Sequence, residues 1–383
     1  MVIDKIILFP YWLTLKLRHV LFDSGVRKVR KAEVPTICVG NIAVGGTGKT
    51  PHTEMILDLL QRSDDWAYRN IAVLSRGYKR KSRGFQQVTR DGTARLYGDE
   101  PLQIKKKFPA VTVAVDKDRI EGCNFLCHPD LLAQSKKARK CLDKELPASD
   151  IIVLDDAFQY RKLGAHVNIV LVDWSRPPVR DALMPLGRLR DLPQRLKAAD
   201  MIVVTKCPAY MEDWERMEWA QSLGIKEFNP ATCSGRFSGG RKVGLFFTSI
   251  LYCPMAPVFE DADPHYIYSK KLILFSGIAK DMPLKRFLSD KYQVVRSFSF
   301  PDHHRYSASD IQTLAGAARH YPTAVVATTE KDSQRVVDSK KVPEPLRKRM
   351  FQVPIKVMFL SDREKDVFES SLLGRLREFR PEP

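Results

Sequence analysis

Lys49 and Thr50 sit near the end of the stretch GNIAVGGTGKTP (40–51), directly after the apolar run PTICV (35–39). A lysine and a hydroxyl placed just after closely spaced glycines, at a strand-to-helix junction, suit phosphate chemistry. Successive backbone N–H groups in such a loop converge on an anion, and the helix N-terminus adds partial positive charge. Lys49 would reach the β- and γ-phosphates of a nucleotide, and the Thr50 hydroxyl would help hold Mg²⁺. The loop reads Ala43, Val44, Gly45, Gly46, Thr47, Gly48, Lys49, Thr50. The strict phosphate-loop pattern begins with glycine where Ala43 stands, and Gly45, Gly46 and Gly48 supply the backbone freedom instead.

Two phosphate-loop classes do not fit. Guanine-reading proteins carry a carboxylate two residues after the lysine of a Thr-Lys pair, and here that position is Pro208, which cannot accept the guanine N–H bonds. Deviant-loop ATPases carry a lysine immediately before the paired glycines, and here that position is Val44. An ordinary ATP-dependent phosphotransferase fits better.

Such a reaction needs a metal ligand and a base. Asp155 and Asp156 end the apolar run IIVLD (151–155), where a strand tip beside the phosphate loop would place a carboxylate near Mg²⁺. Neighbouring side chains on a strand face opposite ways, so the two acids can take different roles. For the base, YGDEP (97–101) offers Asp99 and Glu100, and FPDHHRY (300–306) offers Asp302, His303 and His304. An aspartate and a histidine meeting across a cleft would serve. On residue types alone that pairing is one of many.

These residues must be held by a sheet. Runs at 36–40, 71–75, 111–115, 151–155, 168–173 and 201–205 are short, apolar and β-branched. They lack polar alternation, as strands buried on both faces do, so they predict an α/β doubly wound parallel sheet of the P-loop type. The Gly- and Ser-rich stretch 229–242 reads as a boundary, and VGLFFTSILY (243–252) as one arm of a β-ribbon to a second, smaller α/β lobe. The expected division is an N-terminal helix over 1–30, a kinase domain over 31–235, the second lobe over 236–362 and a C-terminal helix over 363–383.

A formal net charge of +18 favours polyanionic partners: nucleic acid, anionic membrane or phosphorylated substrates. Seven cysteines without CxxC spacing argue against a disulfide framework or a zinc site. No run reaches the ~18 apolar residues of a bilayer-spanning helix. In the N-terminal segment, Leu13, Leu17, Val20 and Leu21 follow helical spacing, with Tyr11, Trp12 and the basic RKVRK (27–31) close by. That pattern suits a helix lying on an anionic membrane and, equally, a helix packed on its own domain.

The order VGNIAVGGTGKTP (39–51), LSRGY (74–78), GDEP (98–101), DKDR (116–119), LDDAFQYR (154–161), LMPLGRLRD (183–191), FSGIA (275–279), FPDHH (300–304) and TTEKD (328–332) resembles the tetraacyldisaccharide 4'-kinases. The resemblance implies two α/β lobes and transfer of the γ-phosphate of ATP, with Mg²⁺, to the 4'-hydroxyl of an acylated glucosamine disaccharide 1-phosphate. It implies Asp155 as metal ligand with Asp156 beside it, Asp99 as base with His303 as its partner, and Arg190 near the transferring phosphate. Tyr78, Glu100, Arg119 and Gln159 fall where the family's motifs approach the sugar. It also implies a monomer, peripheral on the cytoplasmic face of the bacterial inner membrane, with no nucleic-acid partner. It tilts the N-terminal helix toward the membrane reading.

Two positions depart from the family pattern: Ala157 replaces a common glycine, and Asp191 a usual glutamate with longer reach. The rivals are a kinase of the same build acting on another sugar or nucleotide, and a nucleic-acid-binding ATPase. The basic runs lack the interleaved aromatics that the second would use for stacking.

Overall fold

The computed structural model describes residues 2–136, 138, 141–278, 280–302, 304–339 and 342–381. The chain's first lobe contains β1 (Thr36–Asn41), β2 (Ile71–Ser75), β3 (Gln86–Gln87), β4 (Thr112–Val115), β5 (Ile151–Asp155), β6 (Val167–Asp173), β7 (Met201–Thr205), β8 (Ile225–Asn229), β9 (Ser234–Phe237) and β10 (Lys242–Tyr252). The second contains β11 (Ala256–Pro257), β12 (Lys271–Ser276), β13 (Gln293–Ser299), β14 (Val325–Thr329) and β15 (Met350–Val353); β16 (Ile355–Phe359) returns to the first.

The large sheet runs β3-β4-β2-β5-β1-β6-β7-β10-β9-β8, with β16 added on β10. From β4 to β10 neighbouring strands are parallel. Every residue of β1, β2, β4, β5 and β7 is buried, which is why these runs are apolar apart from polar residues at their ends. The smaller sheet runs β11-β15-β14-β12-β13 and is parallel except at β11.

Helices α1 (Val2–Asp23), α2 (Lys49–Arg62), α3 (Ala94–Tyr97), α4 (Asp99–Lys107), α5 (Arg119–Cys127), α6 (Leu131–Gln134) and α7 (Asp213–Ser222) belong to the first lobe. Helices α8 (Met282–Ser289), α9 (Ala308–His320), α10 (Glu330–Val337) and α11 (Glu344–Arg347) belong to the second, and α12 (Asp362–Arg377) ends the chain. Phe368, Leu372 and Leu376 of α12 join the core of the large sheet, with Phe368 edge-on to Phe246 of β10 at 5.1 Å between ring centres. Among the described residues no helix is long and apolar enough to cross a membrane.

The stretch 229–242, expected as a boundary, is instead the meander β8-β9-β10 at the sheet edge. Its paired glycines make a tight turn: Gly239 and Gly240 both take positive φ, 106° and 84°, between β9 and β10. The two-stranded ribbon to the second lobe is β10 paired with β16, from Thr248 opposite Phe359 to Tyr252 opposite Ile355.

Candidate active site

The phosphate loop leaves the C-terminal end of β1, where open parallel sheets bind ligands. Gly40 is required there: a Cβ would come within 2.5 Å of Phe158 Cβ. Gly45 (φ 110°) and Gly48 (φ 86°) adopt the left-handed region that lets the loop turn into α2. Ala43 bridges Leu189, and the Val44 N–H donates to the Arg188 carbonyl at 2.7 Å. The Lys206 ammonium donates to the Gly46 carbonyl and pairs with Asp173 at 2.7 Å. Thr47 is fixed twice, its hydroxyl by Asn41 at 2.7 Å and its carbonyl by Thr205 at 2.9 Å. Buried His52 touches the Gly48 carbonyl through Nδ1 at 2.7 Å and the Thr248 hydroxyl of β10 through Nε2 at 3.0 Å. The loop is thus fixed by contacts from Asn41, His52, Arg188, Thr205 and Lys206.

Lys49 opens α2 and lies 3.8 Å from Asp156 Oδ1, and buried Thr50 follows it. Val39 of β1 stands opposite Asp155 of β5, which sets the acidic pair beside the loop. Asp155 accepts the Ser75 hydroxyl at 3.0 Å on Oδ2, while its buried Oδ1 has no hydrogen-bond partner. Burial, then Glu100 and Asp156, push its carboxyl up to about 7. Asp156 takes positive φ (50°) and turns its carboxylate to Arg190 and Lys49. Burial would raise its pKa, but those two cations, with Arg119, outweigh burial and hold it below the usual carboxylate range.

An orphaned buried carboxylate oxygen beside a phosphate loop and a threonine suits a hard divalent cation. Among the described residues no group of three or more His, Cys, Asp or Glu could hold a metal alone. Mg²⁺, which keeps waters and uses substrate phosphates with one or two carboxylates, does not need such a cage.

Arg190 also donates to Asn41 Oδ1 at 2.6 Å. Gln159 donates to the Asn41 carbonyl. Arg119 is buried and reaches the Asp116 and Lys117 carbonyls at 3.2 and 3.1 Å, while its Nε lacks a partner. Tyr78 is exposed on the loop after β2. The structure thus brings Lys49, Thr50, Asp155, Asp156, Arg190 and Gln159 around one loop.

Asp99 begins α4 and is buried against α10 of the second lobe. Arg335 grips its Oδ2 through Nε at 3.1 Å and through Nη2, and holds Asp332 at 3.0 Å. Glu100 pairs with Lys331, whose charge holds it below the usual carboxylate range against burial. His303 lies outside the described residues. His304 is committed elsewhere, to Asp310 at 2.9 Å, and stacks on Phe300. Ser75, Lys331 and Arg335 went unnoticed in the sequence, although Lys331 lies within the TTEKD motif. Arg335 had no local signal, because its partner is 236 residues away. Asp191, which stands where the family pattern has a longer glutamate, turns Oδ1 to His19 of α1 at 2.6 Å.

The model of the Tetraacyldisaccharide-1-P 4'-kinase family matches residues 5–377. A tetraacyldisaccharide 4'-kinase of Phocaeicola vulgatus is 35% identical over 94% of this chain and 91% of its own. One from Parabacteroides distasonis is 36% identical over the same shares. The crystal structure of the "apo" form of LpxK from Aquifex aeolicus in complex with ATP superposes with a TM-score of 0.66 at 27% identity, covering 96% of this chain and 98% of that one. With a phosphate loop, an acidic pair and a match along nearly its whole length, the chain belongs to the tetraacyldisaccharide-1-P 4'-kinase family.

Proposed function

We propose that the chain transfers the γ-phosphate of ATP to the 4'-hydroxyl of an acylated glucosamine disaccharide 1-phosphate at a membrane surface. The convergence of Lys49, Asp155, Asp156 and Arg190 on one phosphate loop carries this reading. The loop amides and Lys49 bind the β- and γ-phosphates. Arg190 meets the charge that develops on the transferring group, where a preorganised cation costs no rearrangement. Asp99 takes the proton of the 4'-hydroxyl as the new O–P bond forms and the β,γ-bridging P–O bond breaks, with His303 as its partner. Asp155 and Thr50 would hold Mg²⁺, which when bound neutralises phosphate charge. Tyr78, Glu100, Arg119 and Gln159 are assigned to the sugar side, and Glu100 acts there while paired with Lys331.

The membrane part of the proposal rests on α1. Phe9, Trp12, Leu13, Leu17 and Val20 are all exposed on it. Past its C-terminal end a cavity of about 1020 Å³ is lined by Arg27, Lys28, Arg30 and Lys162, together with Asp118 and Glu121. An apolar stripe with aromatics beside a mainly basic lining suits the interface of an anionic bilayer. The enzyme is placed on the cytoplasmic face, where ATP is available.

The test is label transfer from γ-labelled ATP to the monophosphoryl lipid disaccharide, by wild type and Asp99→Asn. Transfer by wild type and a loss of about 1000-fold in the variant are expected. Unchanged transfer by Asp99→Asn would remove the base assignment, and no transfer by wild type would remove the acceptor.

A further inference from the structure

Helix α1 turns its exposed stripe outward and its other face toward the segment that carries Arg190. Leu15, His19 and Phe22 are buried on the inner face. Three polar side chains of α1 reach site residues. Tyr11 Oη donates to the Arg190 carbonyl at 3.0 Å, and Arg18 donates to the Gln159 carbonyl at 2.6 Å. His19 Nε2 meets Asp191 Oδ1 at 2.6 Å.

Arg161 fixes the imidazole from behind, with Nη1 3.0 Å from His19 Nδ1 and Nη2 2.6 Å from Asp23. A guanidinium only donates, so Nδ1 accepts and the Nε2–H points at Asp191. On the opposite side the Arg190 N–H donates to the Ile42 carbonyl at 2.9 Å. The segment is therefore clamped between β1's extension and α1. A helix serving only as an anchor could dock through apolar contacts. Polar contacts to Gln159, Arg190 and Asp191 each carry a desolvation cost that anchoring alone does not require.

We propose that α1 is a buttress of the catalytic segment. Tyr11 and His19 are positioning residues that set Arg190 toward the transferring phosphate, so seating of the helix and turnover are coupled. This rests on the reading of Arg190 given above.

The test compares Tyr11→Phe, His19→Ala and His19→Asn on detergent-dispersed lipid disaccharide. It measures kcat, KM for ATP, thermal midpoint and co-sedimentation with anionic vesicles. In the first two variants kcat falls about tenfold, the scale of one lost buried hydrogen bond, while KM for ATP and vesicle binding hold. His19→Asn, whose amide still donates, recovers much of the loss. In an Arg190→Ala background, His19→Ala adds nothing. Wild-type kcat in both single variants overturns the proposal. So does a loss that adds in full to that of Arg190→Ala, or one that follows the melting midpoint or vesicle binding. Wild-type turnover by Arg190→Ala itself would instead remove the reading of Arg190, and the buttress with it.

Discussion

Arg335 and Asp99 join the two lobes by a buried ion pair, with Nε 3.1 Å from Oδ2 and Nη2 on the same oxygen. The same guanidinium holds Asp332, so its loss takes the cation from two buried carboxylates, although Asp332 keeps the Gly277 N–H and the Thr329 hydroxyl. Arg335→Met is expected to destabilise the protein by about 3–5 kcal/mol, the cost of breaking a buried pair from one side. Arg335→Lys should recover only part, because an ammonium cannot reproduce the fork. Chemical denaturation measures both, and a midpoint unchanged in Arg335→Met would mean that the pair contributes nothing to the lobe interface.

Lys49→Ala should lower turnover by about 100-fold or more while the fold persists, since it removes a preorganised cation from the phosphates. It also takes away one of the three charges, with Arg190 and Arg119, that hold the Asp156 pKa down. Steady-state kinetics with circular dichroism as a fold control checks this, and full activity would exclude the loop as the ATP site.

His52 makes stability depend on acid in a particular window. Burial lowers its pKa from 6.5 to about 4, so the folded state binds this proton less well than the unfolded chain. The associated stability is complete above pH 6.5 and is lost as pH falls through about 4. Between pH 7.5 and 4.5 wild type should lose about 2–3 kcal/mol more than His52→Asn. Parallel urea midpoints for the two proteins across that range would contradict the assignment.

Leu13 and Leu17 stand on the outward stripe of α1. Replacing both with serine should weaken co-sedimentation with anionic vesicles at least tenfold, because each withdrawn leucine forfeits about 1–2 kcal/mol of apolar transfer. Equal sedimentation would return that stripe to plain surface.

The parallel sheet was legible because its strands are buried on both faces: 71–75, 151–155 and 201–205 match β2, β5 and β7 residue for residue. The phosphate loop and acidic pair were legible because their chemistry is local to a few consecutive residues. The resemblance supplied the acceptor, which no spacing in the chain encodes. The stretch 229–242 was misread because glycine and serine mark tight hairpins as readily as linkers. Lys331 and Arg335 were invisible as partners of α4, since ion pairs between distant helices leave no periodic trace. The same holds for His19 and Asp191, 172 residues apart.

The ribbon of β10 and β16 carries the chain out of the first lobe and back again. The smaller lobe is therefore an insertion, and α12, which follows it, closes the core begun by β1. During synthesis the first lobe waits with one flank open until nearly the whole chain has emerged, whereas the inserted lobe has all its strands earlier. A message cut short after residue 361 would yield a finished small lobe hanging from an unfinished large one. Helix α12, remote in sequence from the phosphate loop, thus completes the core on which the strand leading into that loop rests.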